Sequence, residues 1–245
     1  MTQTRPAATV LLLRDGGAGL EVFMGRRHPL AGFAGGALVF PGGRIDDADR
    51  ATARRGVCAP VAGENETALA FRAGALRETF EESGVLLARR NGALAGAAPA
   101  KAARGLAFAD FLEGEGLVLA TDLLVPFAHW ITPAGLFPKR FDTMFFLAAA
   151  PAGQAAAHDG EELVDSCWIA PARALAGAGG GRLEFVTRRN LEKLGRARTV
   201  VEALETARAR RIVTVLPVIE DTPEGRRARL PIEAGYGGPL FDFSR

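Results

Sequence analysis

The period of the hydrophobic positions changes along the chain, and the changes mark the elements. Thr9 to Leu13 is β-branched and leucine-rich, Arg14-Asp15-Gly16-Gly17 is turn chemistry, and Leu20 to Met24 resumes an apolar stretch, which together predict a β-hairpin. Ala37 to Phe40 reads as a short buried strand. It is stopped by Pro41-Gly42-Gly43, where proline ends pairing and glycine permits unusual backbone angles. Asp46 to Gly63 is polar and alanine-rich with no clear period, so it predicts a loop or a loosely helical insertion.

The strongest helical pattern runs from Glu66 to Ser83, with Gly84 where a left-handed C-cap belongs. At about 100° per residue, Leu69, Ala73, Leu76 and Phe80 fall within about 60° of one another, while Glu78, Glu81 and Glu82 span about 100° on the opposite side. One face is core and the other is a group of carboxylates. Further on, Val85 to Leu87, Leu117 to Ile131, Phe141 to Ala149 and Leu163 to Ile169 read as strands. Phe108 to Leu112 predicts a short helix and Ala172 to Leu175 a helical turn before the glycine-rich loop Gly177 to Gly181. Asn91 to Gly105 is Gly/Ala-rich and carries little information. Thr187 to Arg210 is helical by composition with a break at Gly195, and Ile212 to Ile219 is a late strand. With no internal repeat and no linker, the 245 residues read as one α/β domain, 1–245, with an insertion at about 50–66 and a helical extension at about 187–210.

Composition narrows the function classes. Hydrophobic residues at 48% and charged residues at 24% are ordinary for a globular protein with a sizeable core. The formal net charge of +2 gives no reason to expect a nucleic-acid or membrane partner, and no run of ~18 apolar residues predicts a span. Two cysteines, Cys58 and Cys167, cannot build a disulfide framework or a CxxC site, and they suit a reducing cytoplasm. The chain end Phe243-Ser244-Arg245 lacks the Ser-Lys-Leu address, which again points to the cytoplasm. His28, His129 and His158 have no zinc-ligand spacing, and neither a GxSxG elbow nor a GxxxxGK[ST] loop is present.

The chemistry therefore falls to Arg77-Glu78-Thr79-Phe80-Glu81-Glu82-Ser83-Gly84-Val85. Three like charges at these spacings repel one another on a bare helix, and a hard divalent cation such as Mg²⁺ or Mn²⁺ reverses that. Arg77 stands four residues before Glu81, close enough to pair with it. A solvated acidic face is the alternative reading. Upstream, Phe40-Pro41-Gly42-Gly43-Arg44 lets backbone groups approach a metal or a phosphate closely.

The two segments together resemble the Nudix box, G-x5-E-x7-R-E-U-x-E-E-x-G-U with U apolar. Gly43 takes the first position, and Arg77, Glu78, Glu81, Glu82, Gly84 and Val85 fill the later ones. The chain departs from the pattern at Asp49, where glutamate is usual, and at Thr79, where the residue is usually apolar. Between Asp49 and Arg77 lie 27 residues instead of the pattern's seven, a lengthening whose entropic cost grows only logarithmically. An interrupted box of this kind, with Trp130-Ile131-Thr132-Pro133 and Pro138 to Thr143 downstream, is similar to the Nudix branch containing the animal peroxisomal coenzyme A and acyl-CoA diphosphatases. The likeness runs from about Ala7 to Trp168, and it makes Asp49 at most a supporting residue behind the metal.

The resemblance implies a Nudix-type α/β/α sandwich with a mixed sheet and an insertion inside the box. It implies that Glu78, Glu81 and Glu82, with the Gly43 carbonyl, hold Mg²⁺ or Mn²⁺ for hydrolysis of a diphosphate linkage, with a CoA-type substrate favoured. Glu162, just ahead of the strand Leu163 to Ile169, is the candidate general base. Arg26, Arg27 and Arg44 are candidates to grip phosphate oxygens, since guanidinium forks suit them. Arg140 and Asp142 read as a pair across a sheet edge. Hydrolysis of ADP-ribose, NADH or nucleoside triphosphates, and nucleotide sensing without cleavage, are the alternatives; a homodimer is left open.

Overall fold

The computed structural model describes residues 3–32, 34–96, 107–223 and 225–243. The chain opens with β1 (Arg5–Gly16) and β2 (Gly19–Arg27), then β3 (Leu38–Val39), β4 (Gly42–Arg44), α1 (Asp47–Arg54) and α2 (Glu66–Ser83). The middle contributes β5 (Ala88–Arg90), β6 (Ala93–Leu94), α3 (Phe108–Gly114), β7 (Val118–Leu119), β8 (Val125–Ile131), β9 (Phe141–Ala149) and β10 (Leu163–Ile169). Last come α4 (Pro171–Leu175), α5 (Phe185–Leu194), α6 (Val200–Arg208), β11 (Thr214–Val215), β12 (Val218–Thr222), β13 (Gly225–Arg229) and β14 (Leu240–Asp242).

The central sheet runs β10-β2-β1-β9-β8-β11, with β3 on β2 and β4 on β1. It is mixed: β1 pairs parallel with β9 but antiparallel with β2 and β4. Both faces are covered, which is why β1 reads as a nearly continuous apolar run. Ala8, Val10 and Leu12 face the cluster containing Ala73, Leu76 and Phe80 of α2. Leu11 and Leu13 face the cluster containing Leu191 and Leu194 of α5 and Ala203 of α6. The period of two along β1 thus assigns the α2 layer to one side of the sheet and the α5–α6 layer to the other. The α/β/α sandwich follows.

Helix α2 begins where Asn65 accepts the Ala68 amide at 3.0 Å and ends at Gly84, whose φ of 73° is left-handed. Phe80 stacks on Phe111 of α3 at 5.7 Å between ring centroids. At the other end, buried Arg72 pairs with Glu64 and donates to the Thr121 carbonyl at 2.9 Å, tying α2 to the 3-10 turn Thr121–Leu123. Among the described residues no helix is long and apolar enough to cross a membrane.

One open reading is settled as helical and three expectations change. The unperiodic stretch after Asp46 contains α1, entered by reciprocal bonds between Asp46 and Asp49; its buried residues are Asp49, Thr52 and Ala53, helical in spacing but not hydrophobic. Val85 to Leu87 is buried but is no strand, because the Gln154 side chain bonds both the Leu86 amide at 2.8 Å and its carbonyl at 2.9 Å in place of a neighbouring strand. Leu117 to Ile131 is two strands separated by the Thr121–Leu123 turn. Ile212 to Ile219 divides at Pro217, which has no amide to donate, into β11 of the central sheet and β12 of a small sheet with β13 and β14. The expected helix Thr187–Arg210 is α5 and α6, separated at Gly195–Thr199. Of the Asn91–Gly105 stretch, 97–105 lies outside the described residues, as do Ser244 and Arg245.

Candidate active site

The polar side of α2 lies against β4, which the β1 pairing Thr9↔Gly42 and Ala8↔Gly43 holds in place. Glycine is required at 42 by the backbone and at 43 keeps the Glu78 carboxyl in place. Gly42 has φ 156°, and a Cβ there would lie 2.4 Å from the Ala8 carbonyl oxygen; a Cβ on Gly43 would lie 2.5 Å from the Glu78 carboxyl carbon. The bare turn therefore lets the Gly42 amide donate to Glu82 Oε2 at 3.0 Å.

Arg77 is the hub. Its Nε and Nη2 donate to the two oxygens of Asp49 at 2.8 and 3.0 Å, and Nη1 donates to Glu81 Oε2 at 2.7 Å. Nη2 also lies 3.0 Å from Glu78 Oε1 and donates to the Arg44 carbonyl at 3.1 Å. Asp49, 1% exposed, is thus the anchor of the box arginine, and its helix cap places it there. The sequence contained a signal for this role, the Asp46-x-x-Asp49 spacing of a capping box. Burial opposes the Arg77 charge, but hydrogen bonds to Asp49 and the charges of Glu78, Asp49 and Glu81 hold its pKa above the ordinary value.

The carboxylates are strained electrostatically. Burial pushes the Glu82 carboxyl up to about 8 against the pull of the Gly42 amide, and pushes Glu78 up to about 7 against the pull of Arg77. Glu81 is raised by burial as well. Glu82 is 3% exposed, and its Oε1 has no hydrogen-bond partner among the described residues. A buried anionic oxygen without a partner is expensive, and it is the kind of atom a hard cation satisfies. The donor set, all oxygen with a bare glycine turn beside it, fits Mg²⁺ or Mn²⁺. Among the described residues no three acidic, histidine or cysteine side chains are gathered into a finished cage; Glu78 and Glu81 are turned to Arg77 instead.

Glu162 and Arg27 are brought to the same place. Leu163 pairs with Arg27 across β10 and β2, Glu162 Oε2 lies 3.8 Å from Arg27 Nη2, and the Glu162 charge raises Glu78, Glu81 and Glu82. The charge of Arg27 lowers Glu82. Arg26 follows the strand alternation to the face shared by Met24 and pairs with Asp165 at 3.1 Å. Arg44 is exposed, and its backbone carbonyl is what Arg77 holds. Asp142 accepts from His129 Nε2 at 2.5 Å, and Arg140 Nε donates to the Thr132 carbonyl at 2.9 Å.

Fold and site define a mixed-sheet α/β/α sandwich with its acidic groups on one capped helix against a glycine turn. A family model described as the NUDT19 Nudix domain matches residues 64–178. A crystal structure of a Nudix hydrolase from Alicyclobacillus acidocaldarius superposes with a TM-score of 0.74 at 30% identity, covering 84% of this chain and 97% of that one. The chain belongs to the Nudix hydrolase family. It is also 26% identical to the acyl-coenzyme A diphosphatase NUDT19 of Gallus gallus, over 70% of this chain and 62% of that protein. The Homo sapiens protein of the same name is 30% identical, over 64% of this chain and 55% of that protein. The chain therefore spans less than two thirds of the length of these curated relatives.

Proposed function

We propose that this chain hydrolyses the diphosphate linkage of a coenzyme A or acyl-CoA substrate with Mg²⁺ or Mn²⁺ held by Glu78, Glu81, Glu82 and the Gly43 carbonyl. The observation that carries the reading is the buried, unpartnered Oε1 of Glu82 beside the Gly42-Gly43 turn. Bound there, the cation supplies charge neutralisation at the phosphate oxygens and activation of water. Arg77, anchored on Asp49, keeps Glu78 and Glu81 within reach of the turn. Arg27 takes phosphate oxygens, because its charge already acts on Glu82, with Arg44 at the end of β4 as a second grip. Arg26, on the opposite face of β2 and paired with Asp165, is not part of this site. Glu162, 63% exposed and beside Arg27, accepts the proton of the attacking water as general base. The names of the relatives support CoA as substrate class.

The test is to incubate the protein with CoA, acetyl-CoA, ADP-ribose, NADH and nucleoside triphosphates, with Mg²⁺ or Mn²⁺ and then EDTA, and to weigh the products. CoA is expected to give two phosphomonoesters, with turnover abolished by EDTA and reduced at least ~10³-fold in Glu82→Gln without loss of the fold. Preferred cleavage of ADP-ribose or NADH would transfer the assignment to a dinucleotide, and binding without cleavage of any substrate would make the chain a sensor.

A further inference from the structure

The face of the sheet turned away from α2 carries a cavity of about 1210 Å³, between α5, α6 and the segment 232–239. Lys193, Arg196, Arg210 and Arg211 line it, with Glu202 and Glu233 as its carboxylates. Several arginines elsewhere on the surface are paired, as in Arg14–Glu21, Arg89–Asp122 and Arg229–Glu220. None of the four cations in the cavity forms an ion pair among the described residues, and Glu202 is engaged with the Arg198 amide at 2.8 Å.

The arrangement is built. Arg196 Nη1 donates to the Gly235 carbonyl at 2.7 Å. Gly235 and Gly237 have φ of 77° and 94°, and a Cβ on them would lie 3.3 Å from Arg210 Nη1 and 3.0 Å from Arg196 Nη2, so both guanidinium groups rest against bare backbone. Lys193 Nζ donates to the Phe127 carbonyl at 2.9 Å and lies 4.7 and 5.0 Å from the ring centres of Phe127 and Tyr236. Tyr236 is fixed in turn, accepting from Trp130 Nε1 at 2.7 Å and donating to Asn190 Oδ1 at 2.8 Å. Burial, then the charges of Arg210 and Arg196, push Lys193 down to about 8, the direction expected of cations gathered without an anion.

We propose that this cavity binds a phosphorylated small molecule bearing a diphosphate, held by Lys193, Arg196, Arg210 and Arg211 on the side of the sheet opposite the α2 carboxylates. Four cations against two carboxylates leave room for a dianion, and guanidinium forks match phosphate oxygens better than single carboxylates. The cavity is larger than pyrophosphate needs, and the accessible apolar surface of Ile212, Val213 and Ile232 receives the organic part. The site is independent of the reaction proposed for α2.

Titration calorimetry of the full chain in EDTA, with inorganic pyrophosphate and with ADP, tests this. Both probes are expected to bind. Binding should weaken ~10-fold or more in Arg210→Ala/Arg211→Ala and in Lys193→Gln, as loss of charge-assisted bonds implies, and should persist in Arg27→Ala. Arg210 and Arg211 are exposed, so circular dichroism of the double variant should match the parent. No binding by the parent would overturn the proposal, as would binding that survives the double variant or is lost in Arg27→Ala, which would locate the ligand at α2.

Discussion

Glu82 gives one carboxylate oxygen to the Gly42 amide and leaves the other without a partner. In the metal-free protein it is relieved by keeping its proton; with a cation present, it is relieved by coordination. The sign of the pH dependence follows. Glu82 and Glu78 are raised from 4.5 to about 8 and about 7, so the folded chain holds protons that the unfolded chain has released. The stability these groups contribute is complete below pH ~4.5 and is lost as pH rises through 7 and 8. Melting in EDTA should therefore fall in temperature between pH 5 and 8, by ~2–4 °C for each kcal/mol lost in a chain of this size. Glu82→Gln should flatten the slope, and saturating Mg²⁺ or Mn²⁺ should raise the melting temperature most at the alkaline end. Equal profiles for parent and Glu82→Gln in EDTA would contradict this reading of Glu82.

At the scale of elements, the α2–β4 contact depends on a residue without a side chain. Gly43→Ala puts a methyl against the Glu78 carboxyl, which is the end of a flexible side chain and will move. Turnover should drop ~10²-fold or more while the melting temperature changes by only a few degrees, because misplacing a catalytic group by about 1 Å is costly whereas moving a side chain is cheap. Gln154→Ala is the converse case. It leaves the buried Leu86 amide and carbonyl without those bonds, and should cost ~1–3 kcal/mol in denaturant unfolding with little effect on kcat. The two cases also show what could be read from the sequence. Helix α2 was legible because an apolar stripe runs along it and a glycine follows its last turn, and its three glutamates were legible because one helix sets their spacing. Helix α1 was hidden because its buried side chains are Asp49, Thr52 and Ala53. The false strand at Val85 arose because burial made it apolar while its bonding partner stands 68 residues downstream of Leu86. Likewise the Asp49–Arg77 and Gly42–Glu82 bonds join residues 28 and 40 apart, so spacing named the participants without showing who holds whom.

For the whole molecule, the alternation of β1 divides the work between two layers. Its even positions support the acidic helix, and its odd positions support α5 and α6 with their basic cavity. The α2 carboxylates and the basic cavity thus lie on opposite faces of one sheet in a chain whose net charge is only +2. The proposed reaction depends on the acidic side accepting a cation, and anomalous diffraction from a manganese-soaked crystal measures that directly. The expected map has a peak bounded by Glu78, Glu81, Glu82 and the Gly43 carbonyl, with Arg77 still on Asp49. A map in which Glu82 Oε1 remains without a metal while manganese settles elsewhere would contradict the central claim.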